Sequence, residues 1–128
     1  MEPEFVFVYG GLMRGFDLHH YMERASFVGE GSTAGVLFSL GQYPGLMDGA
    51  GTARGEVYRF DDLPAALDIL DDVEDYNPTD PENSLYVRVV RQVRMDDGRT
   101  LDAWVYVYNR RVADQAPVPG GNWRNAGP

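Results

Sequence analysis

The sequence contains no cysteine, no lysine and only two histidines. Without cysteine, the chain has neither disulfides nor thiolate metal sites. His19 and His20 are neighbours, and adjacent side chains point in different directions on a helix or a strand. A histidine-based metal site and a Ser–His triad are therefore not expected. The chain also has no run of about 18 apolar residues, the length at which a membrane-spanning helix would be predicted.

Basic charge is scarce relative to acidic charge. Eleven basic residues, all arginine, face 20 acidic ones, and the formal net charge is −9. Nine acidic and no basic residues fall within residues 61–82. Such a surface repels phosphate backbones and anionic membranes, so we expect neither nucleic acid nor a membrane as a partner. The charge pattern at residues 1–4 is acidic, unlike a secretory signal, which predicts a cytoplasmic location.

What is present fits one globular unit. The 128 residues with 44% hydrophobic composition suit a single domain, which we assign to residues 1–128. Apolar residues 5–9 predict a buried central strand, and further strands are predicted at 34–40, 55–60, 85–95 and 101–108. A helix is predicted over Leu63–Val73 with Asp62 as its N-cap, and a short helix within residues 16–24. Tyr43-Pro44-Gly45 and Asp97-Gly98 read as turns.

These elements predict the fold class. Strands dominate and do not alternate with helices as βαβ units would. The expected fold is α+β: a small, curved, mainly antiparallel sheet or barrel with helices packed on it. The tail after Pro117 is expected to wrap the surface.

Glu74 is the candidate for proton transfer. Leu63, Leu67 and Leu70 form one stripe of the predicted helix, and Glu74 extends that stripe by four residues. Burial, the negative end of the helix dipole and the neighbouring aspartates would each raise its pKa towards neutrality. Periodicity alone leaves open a helix end that turns into solvent.

Two further features are candidate binding elements. The turn Tyr9-Gly10-Gly11-Leu12 follows a buried strand, and its glycines and backbone N–H groups suit close approach by an anionic ligand. It lacks the spacing of either common nucleotide loop, and a plain tight turn is the alternative. Tyr106 lies in an aromatic row with Trp104 and Tyr108; such a row is either core packing or a means of orienting a substrate.

In this order, the motifs resemble those of the gamma-glutamylcyclotransferase-like family. The matching segments are Phe7-Val8-Tyr9-Gly10-Gly11-Leu12-Met13-Arg14-Gly15, Tyr43-Pro44-Gly45-Leu46, Gly55-Glu56-Val57-Tyr58, Leu67-Asp68-Ile69-Leu70-Asp71-Asp72-Val73-Glu74-Asp75-Tyr76, Tyr86-Val87-Arg88, Ala103-Trp104-Val105-Tyr106 and Gly121-Asn122-Trp123-Arg124. They extend from about residue 5 to residue 124, and thus over nearly the whole chain.

The resemblance implies an enzyme with a small barrel-like fold that releases 5-oxoproline from γ-glutamyl compounds without a metal or organic cofactor. Glu74 matches the family's catalytic glutamate. The resemblance also implies that Tyr9, Gly10, Gly11 and Leu12 bind the substrate, with help from the Tyr106 hydroxyl. The expected partner is a small γ-glutamyl molecule. The physiological substrate and the oligomeric state are left open.

Gly11 departs from the family pattern. The family usually has serine or threonine at this position, so a side-chain hydroxyl is missing here. Three alternatives are left open. The first is a cyclotransferase for γ-glutamyl amines, including one that unmasks a biosynthetic intermediate. The second, which Gly11 favours, is a catalytically silent binding or scaffold member, and the third is an acidic interaction domain without a pocket.

Overall fold

Five strands and one α-helix make up most of the part of the chain that the structure describes. The structure is a computed structural model, which describes residues 3–112 and 115–126. In chain order the elements are β1 Phe5–Val8, β2 Ala25–Ser39, β3 Pro44–Phe60, α1 Leu63–Val73, β4 Tyr86–Met95 and β5 Thr100–Tyr108. Short 3-10 turns lie at His19–Met22, Pro81–Asn83, Pro119–Gly121 and Trp123–Asn125. The predicted α+β class is confirmed.

The strands close into a barrel in the order β1-β3-β2-β4-β5. Neighbouring strands are antiparallel, except that β1 runs parallel to β5 and closes the barrel. β1 therefore has a partner on each side, and its residues Val6, Phe7 and Val8 are buried. Gly55 of β3 makes this pairing possible, because a side chain there would collide with the Val8 carbonyl and the Phe7 ring. The predicted buried first strand and mainly antiparallel barrel are confirmed.

The β2–β3 hairpin is much longer than predicted. The two strands span 15 and 17 residues, whereas the sequence predicted strands only at 34–40 and 55–60. Gly35, with φ +140°, lies at a β-bulge between Ala34 and Val36. Glycines and polar residues lower the β-propensity of each segment on its own, so the sequence pattern does not reveal the full length of β2 and β3. Pairing between the two strands stabilises these segments as strands in the structure. Pro44 begins β3, so the predicted turn at Tyr43-Pro44-Gly45 is wrong for its last two residues.

The helix predicted within residues 16–24 is also wrong. Only the 3-10 turn His19–Met22 forms there. The segment is held by contacts with the turn after β1: the Leu18 N–H donates to the Gly11 carbonyl at 3.0 Å, and the His19 Nδ1 lies 2.9 Å from the Leu12 carbonyl oxygen. These hydrogen bonds to the Gly11–Leu12 turn take the place of the i to i−4 backbone hydrogen bonds of an α-helix.

Helix α1 has the boundaries that the sequence predicts. The Asp62 carboxylate accepts a hydrogen bond from the Ala65 N–H at 3.3 Å, as an N-cap does. Leu67 and Leu70 are buried against the barrel. The helix ends where Asp75 adopts φ +55°. The N–H groups of Asp75 and Tyr76 then donate to the carbonyls of Asp72 and Asp71, which is a Schellman ending.

The tail wraps the barrel as predicted. The Val118 N–H donates to the Leu37 carbonyl at 2.7 Å. Farther on, the Arg124 guanidinium reaches both the Arg14 carbonyl and the buried Glu56 carboxylate. Among the described residues no helix is long and apolar enough to cross a membrane.

Candidate active site

One cavity of about 420 Å³ opens where the ends of β1, α1 and β5 meet the β2–β3 connection. All six residues that the sequence singled out line it: Tyr9, Gly10, Gly11, Leu12, Glu74 and Tyr106. They come from three distant parts of the sequence, and the barrel brings them to one place. The volume suits a small molecule.

Glu74 lies at the C-cap of α1, directly after the last buried turn of the helix. Its backbone N–H donates to the Leu70 carbonyl at 2.9 Å. Glu74 therefore keeps the helical position that continues the apolar stripe of α1. Its side chain faces the cavity, and within the described part of the chain no group donates a hydrogen bond to its carboxylate. Burial raises the pKa of Glu74 to about 7. This is the upward direction that the sequence predicts.

The neighbouring aspartates contribute less to this shift than their number suggests. Asp71 is buried, but it is neutralised by Arg88, whose Nε and Nη2 atoms lie 2.8 and 3.1 Å from the two carboxylate oxygens. A paired carboxylate exerts little net field on its surroundings. Asp72 and Asp75 are exposed to water. Burial is accordingly the cause of the Glu74 shift.

The turn after β1 lines one wall of the cavity. The sequence predicted this turn as a substrate-binding element. Its geometry is fixed by the Met13 N–H, which donates to the Gly10 carbonyl at 3.0 Å. In the described ranges, the N–H groups of Gly10, Gly11 and Leu12 have no acceptor within the protein. Gly10 is needed for close packing, since a Cβ there would stand 2.8 Å from the Pro44 ring. Unpaired N–H groups beside a cavity can bind an anionic oxygen.

Tyrosine hydroxyls hold the cavity in shape. Tyr9 donates to the Tyr106 carbonyl at 2.6 Å and accepts from the Leu46 N–H at 3.2 Å, which ties β1 to β5 and β3. Tyr106 itself donates to the Asp71 carboxylate at 2.6 Å. Its proton is thus already engaged, and only an acceptor lone pair of its hydroxyl is left for a ligand. Burial raises the pKa of Tyr9 and of Tyr106, so both stay protonated at neutral pH.

Comparison with known proteins decides the family. A family model described as "Gamma-glutamyl cyclotransferase, AIG2-like" matches residues 6–125. The chain belongs to this family. The enzyme class that the sequence resemblance predicted, a gamma-glutamylcyclotransferase-like enzyme, is confirmed at this level.

Individual relatives agree. The gamma-glutamylcyclotransferase family protein ytfP of Citrobacter rodentium is 37% identical over 119 residues, covering 92% of this chain and 93% of the relative. A protein of Niallia circulans named gamma-L-glutamyl-butirosin B gamma-glutamyl cyclotransferase is 38% identical over 108 residues, covering 82% and 67%. The solution structure of Escherichia coli ytfP, 35% identical, superposes with a TM-score of 0.64 over 93% of this chain and 95% of that one. A mouse AIG2-like protein, 29% identical, gives a TM-score of 0.71 over 89% and 82%.

Within this cyclotransferase-family fold, sequence reasoning left three tyrosines of the cavity out of the site. Tyr43, Tyr86 and Tyr108 line the cavity beside Glu74, and Tyr108 belongs to the aromatic row that the sequence singled out. The Tyr86 hydroxyl donates to the Pro44 carbonyl at 2.7 Å, which joins β4 to the start of β3. Tyr86 and Tyr43 belong to segments that carry the family resemblance, so a signal existed. Alternation within one strand says which face a side chain takes but not which neighbour it meets.

The Glu56 carboxylate is buried as Asp71 is, and its environment is the opposite of that of Glu74. It accepts from the Arg14 N–H at 3.0 Å, Arg14 Nε at 3.1 Å, the Tyr58 hydroxyl at 2.9 Å and Arg124 Nη2 at 3.0 Å. Burial acts to raise the pKa of Glu56, but these donors outweigh it, and the pKa is lowered. A permanently charged, fully paired carboxylate is suited to holding the 9–15 segment in place.

Proposed function

We propose that this protein releases 5-oxoproline from a γ-glutamyl amine or γ-glutamyl amino acid, with Glu74 as the general base and then the general acid. The observation that carries the proposal is Glu74, whose pKa burial raises to about 7, facing a cavity lined by backbone N–H groups that have no acceptor among the described residues. A carboxyl group that titrates near neutral pH can both accept and return a proton there.

The proposed reaction is intramolecular. Ionised Glu74 removes a proton from the substrate's α-ammonium group, and the resulting amine nitrogen attacks the γ-carbonyl carbon. A new C–N bond closes the five-membered ring and leaves a tetrahedral oxyanion. Glu74 then returns its proton to the leaving nitrogen as the original amide C–N bond breaks. The ring nitrogen loses its remaining excess proton to the ionised Glu74, which passes that proton to the departing amine. The products are 5-oxoproline and an ammonium ion, and no water is consumed.

The protein's main contributions are orientation and charge stabilisation. Because nucleophile and carbonyl belong to one molecule, folding the glutamyl chain into the reactive shape supplies much of the rate. The N–H groups of Gly10, Gly11 and Leu12 are the proposed donors to the oxyanion or to the α-carboxylate. Tyr106 is proposed to line the glutamyl subsite and to position Glu74 through Asp71, since its own proton is donated to that carboxylate.

The test is to incubate the purified protein with γ-glutamyl amino acids and γ-glutamyl amines and to measure 5-oxoproline by mass spectrometry. A chemically matched α-glutamyl series is the control, because its α-amino group lies next to the amide and cannot close the same ring. We expect product from γ-glutamyl compounds only. A protein that forms no 5-oxoproline from any γ-glutamyl compound would contradict the proposal.

The missing hydroxyl at Gly11 favours one second candidate, a silent member that binds γ-glutamyl compounds without converting them. Isothermal titration with the same compounds separates the two. Binding without 5-oxoproline formation supports the silent member, and turnover rules it out.

Two further expectations stay predictions of the sequence: that the chain is a single domain and that it lies in the cytoplasm.

A further inference from the structure

Gly11 is buried although it has no side chain to bury. A Cβ built on it would stand 2.9 Å from Cε1 and 3.1 Å from Cδ1 of Tyr43, and 3.3 Å from the Leu18 side chain. The space that a residue with a side chain would use at position 11 is therefore already occupied. The Tyr43 ring, from the connection between β2 and β3, supplies this part of the cavity wall.

The outer end of the Tyr43 side chain is fixed. Its hydroxyl donates to Asp17 Oδ2 at 2.9 Å, and Asp17 lies on the segment that follows the Gly10–Leu12 turn. The backbone on both sides is held as well. The Leu40 N–H donates to the Tyr43 carbonyl at 2.9 Å, and the Leu18 N–H donates to the Gly11 carbonyl at 3.0 Å. The ring thus bridges two loops at the partly exposed side of the cavity.

We propose that Tyr43 is a specificity-determining residue of this enzyme and that it acts as a pair with Gly11. A side chain at position 11 would displace the Tyr43 ring from its present place, so the pair sets the width of the cavity beside the Gly10–Leu12 turn. With the ring in place, the site accepts slender leaving amines and rejects bulky ones. This inference rests on the proposed function, because it concerns the substrates of that same site.

The consequence differs from that of a purely structural contact. Removing a packing residue lowers the amount of folded protein and slows every substrate equally. Removing a side chain that narrows the cavity changes the ratio between substrates. This ratio is measured within one protein sample, so it does not depend on how much of the variant is folded.

The selectivity test compares γ-glutamyl methylamide with γ-glutamyl benzylamide, which differ only in the leaving amine. In Tyr43→Ala we expect the ratio of kcat/KM, benzylamide over methylamide, to rise at least about tenfold, since a change of a few atoms in an apolar pocket has effects of this size. The control is Tyr21→Ala, a partly exposed tyrosine outside the cavity. Its ratio should equal that of the wild type.

A second measurement tests the pairing itself. Gly11→Ser is made in the wild type and in Tyr43→Ala, and the thermal midpoint of unfolding is recorded. We expect the serine to lower the midpoint by about 4 °C or more beside the Tyr43 ring, and by much less once the ring is gone. Equal shifts in both backgrounds would show that positions 11 and 43 are independent.

The outcomes separate the inference from the proposed function. If the wild type forms no 5-oxoproline from either amide or from any other γ-glutamyl compound, the proposed function is wrong and this inference is wrong with it. If the wild type is active but Tyr43→Ala leaves the ratio unchanged, only the inference is overturned.

Discussion

At Glu74, a partly buried carboxylate accepts no hydrogen bond from any residue in the part of the chain that the structure describes. Most buried carboxylates in folded proteins are paired, as Glu56 is with Arg14 and Arg124 in this chain. Glu74 lies instead at the end of an apolar helix stripe and faces a cavity. An unpaired buried carboxylate destabilises a fold, so its presence is a reason to assign it a function.

The pH dependence of activity follows from this environment. In the proposed reaction Glu74 must be ionised to take the first proton, and burial raises its pKa to about 7. We therefore expect kcat/KM to be low at pH 5 and to increase with pH through a transition near 7. The measurement is 5-oxoproline formation at subsaturating substrate from pH 5 to pH 8. An activity that is already maximal at pH 5 would contradict the assignment.

Stability should respond to pH in the opposite direction. The folded-state pKa of Glu74, about 7, lies above its ordinary value of 4.5, so folding is opposed increasingly as pH rises from about 4.5 to 7. Glutamine avoids this cost. We expect Glu74→Gln to stabilise the protein by about 1–3 kcal/mol at pH 8 and by clearly less at pH 5. Denaturant unfolding at both pH values measures it, and an equal effect at both would be contrary to the account.

The sequence could predict part of this site. The spacing of Leu67, Leu70 and Glu74 follows from helical geometry alone, and the structure keeps it. The hydroxyl partner of Tyr106 did not follow, because Asp71 meets it only after α1 packs on β5. The closeness of Tyr43 to Gly11 likewise depends on the path of a connection 32 residues farther along the chain.

At the scale of elements, the end of α1 is attached to the barrel by a buried ion pair. Asp71 accepts from Arg88 of β4 and from Tyr106 of β5, and the Arg88 guanidinium also lies 4.5 Å from the Trp104 ring centroid. One residue of the last helical turn thus joins two strands. Since Glu74 follows three residues later, this attachment also sets where its carboxylate lies.

Breaking this pair should be costly. In Arg88→Leu the buried Asp71 carboxylate loses its counter-charge, and we expect a loss of about 3 kcal/mol in the free energy of unfolding. Arg91→Leu is the matched control on the same strand, because its partner Asp48 is exposed and the ion pair is 3.4 Å long. The control should cost less than about 1 kcal/mol. Equal losses of unfolding free energy in chemical denaturation would show that the Asp71–Arg88 pair stabilises the fold no more than the exposed Asp48–Arg91 pair does.

Elements defined by local signals were predictable, and those defined by pairing were not. Helix α1 carries its own cap at Asp62 and its own stripe, so its boundaries were predicted correctly. The long β2–β3 hairpin includes polar and glycine-rich segments that become strand only because each stabilises the other. The prediction of a helix within residues 16–24 is wrong for the same reason, since contacts with the Gly11–Leu12 turn determine the shape of this segment.

For the whole molecule, shape and charge act together. The barrel places the cavity beside the acidic segment 61–82, and the charged side chains that line the cavity among the described residues are Glu74 and Asp75. With a formal net charge of −9, the protein attracts cations and repels anions over a Debye length. The glutamyl part of a substrate is a zwitterion, so the charge of the leaving amine decides the sign of this effect.

Salt should therefore affect substrates differently. For a γ-glutamyl diamine, which carries a free ammonium group, we expect kcat/KM to fall severalfold as ionic strength rises from about 0.01 M to 0.5 M. For γ-glutamylglutamate the same change should raise kcat/KM. Uncharged γ-glutamyl methylamide is the control and should respond little. Parallel salt dependence for all three would contradict electrostatic steering.

The acid/base role of Glu74 is tested most directly by 5-oxoproline formation in Glu74→Gln, measured on the best substrate beside the wild type and Glu82→Gln. Glu82 is an exposed glutamate of the same acidic segment and does not line the cavity. Because glutamine keeps the shape but neither accepts nor returns the proton, we predict a fall in kcat of at least about 100-fold, with Glu82→Gln unchanged. A folded Glu74→Gln that retains a rate within about threefold of the wild type would contradict the assignment of Glu74 as the acid/base residue.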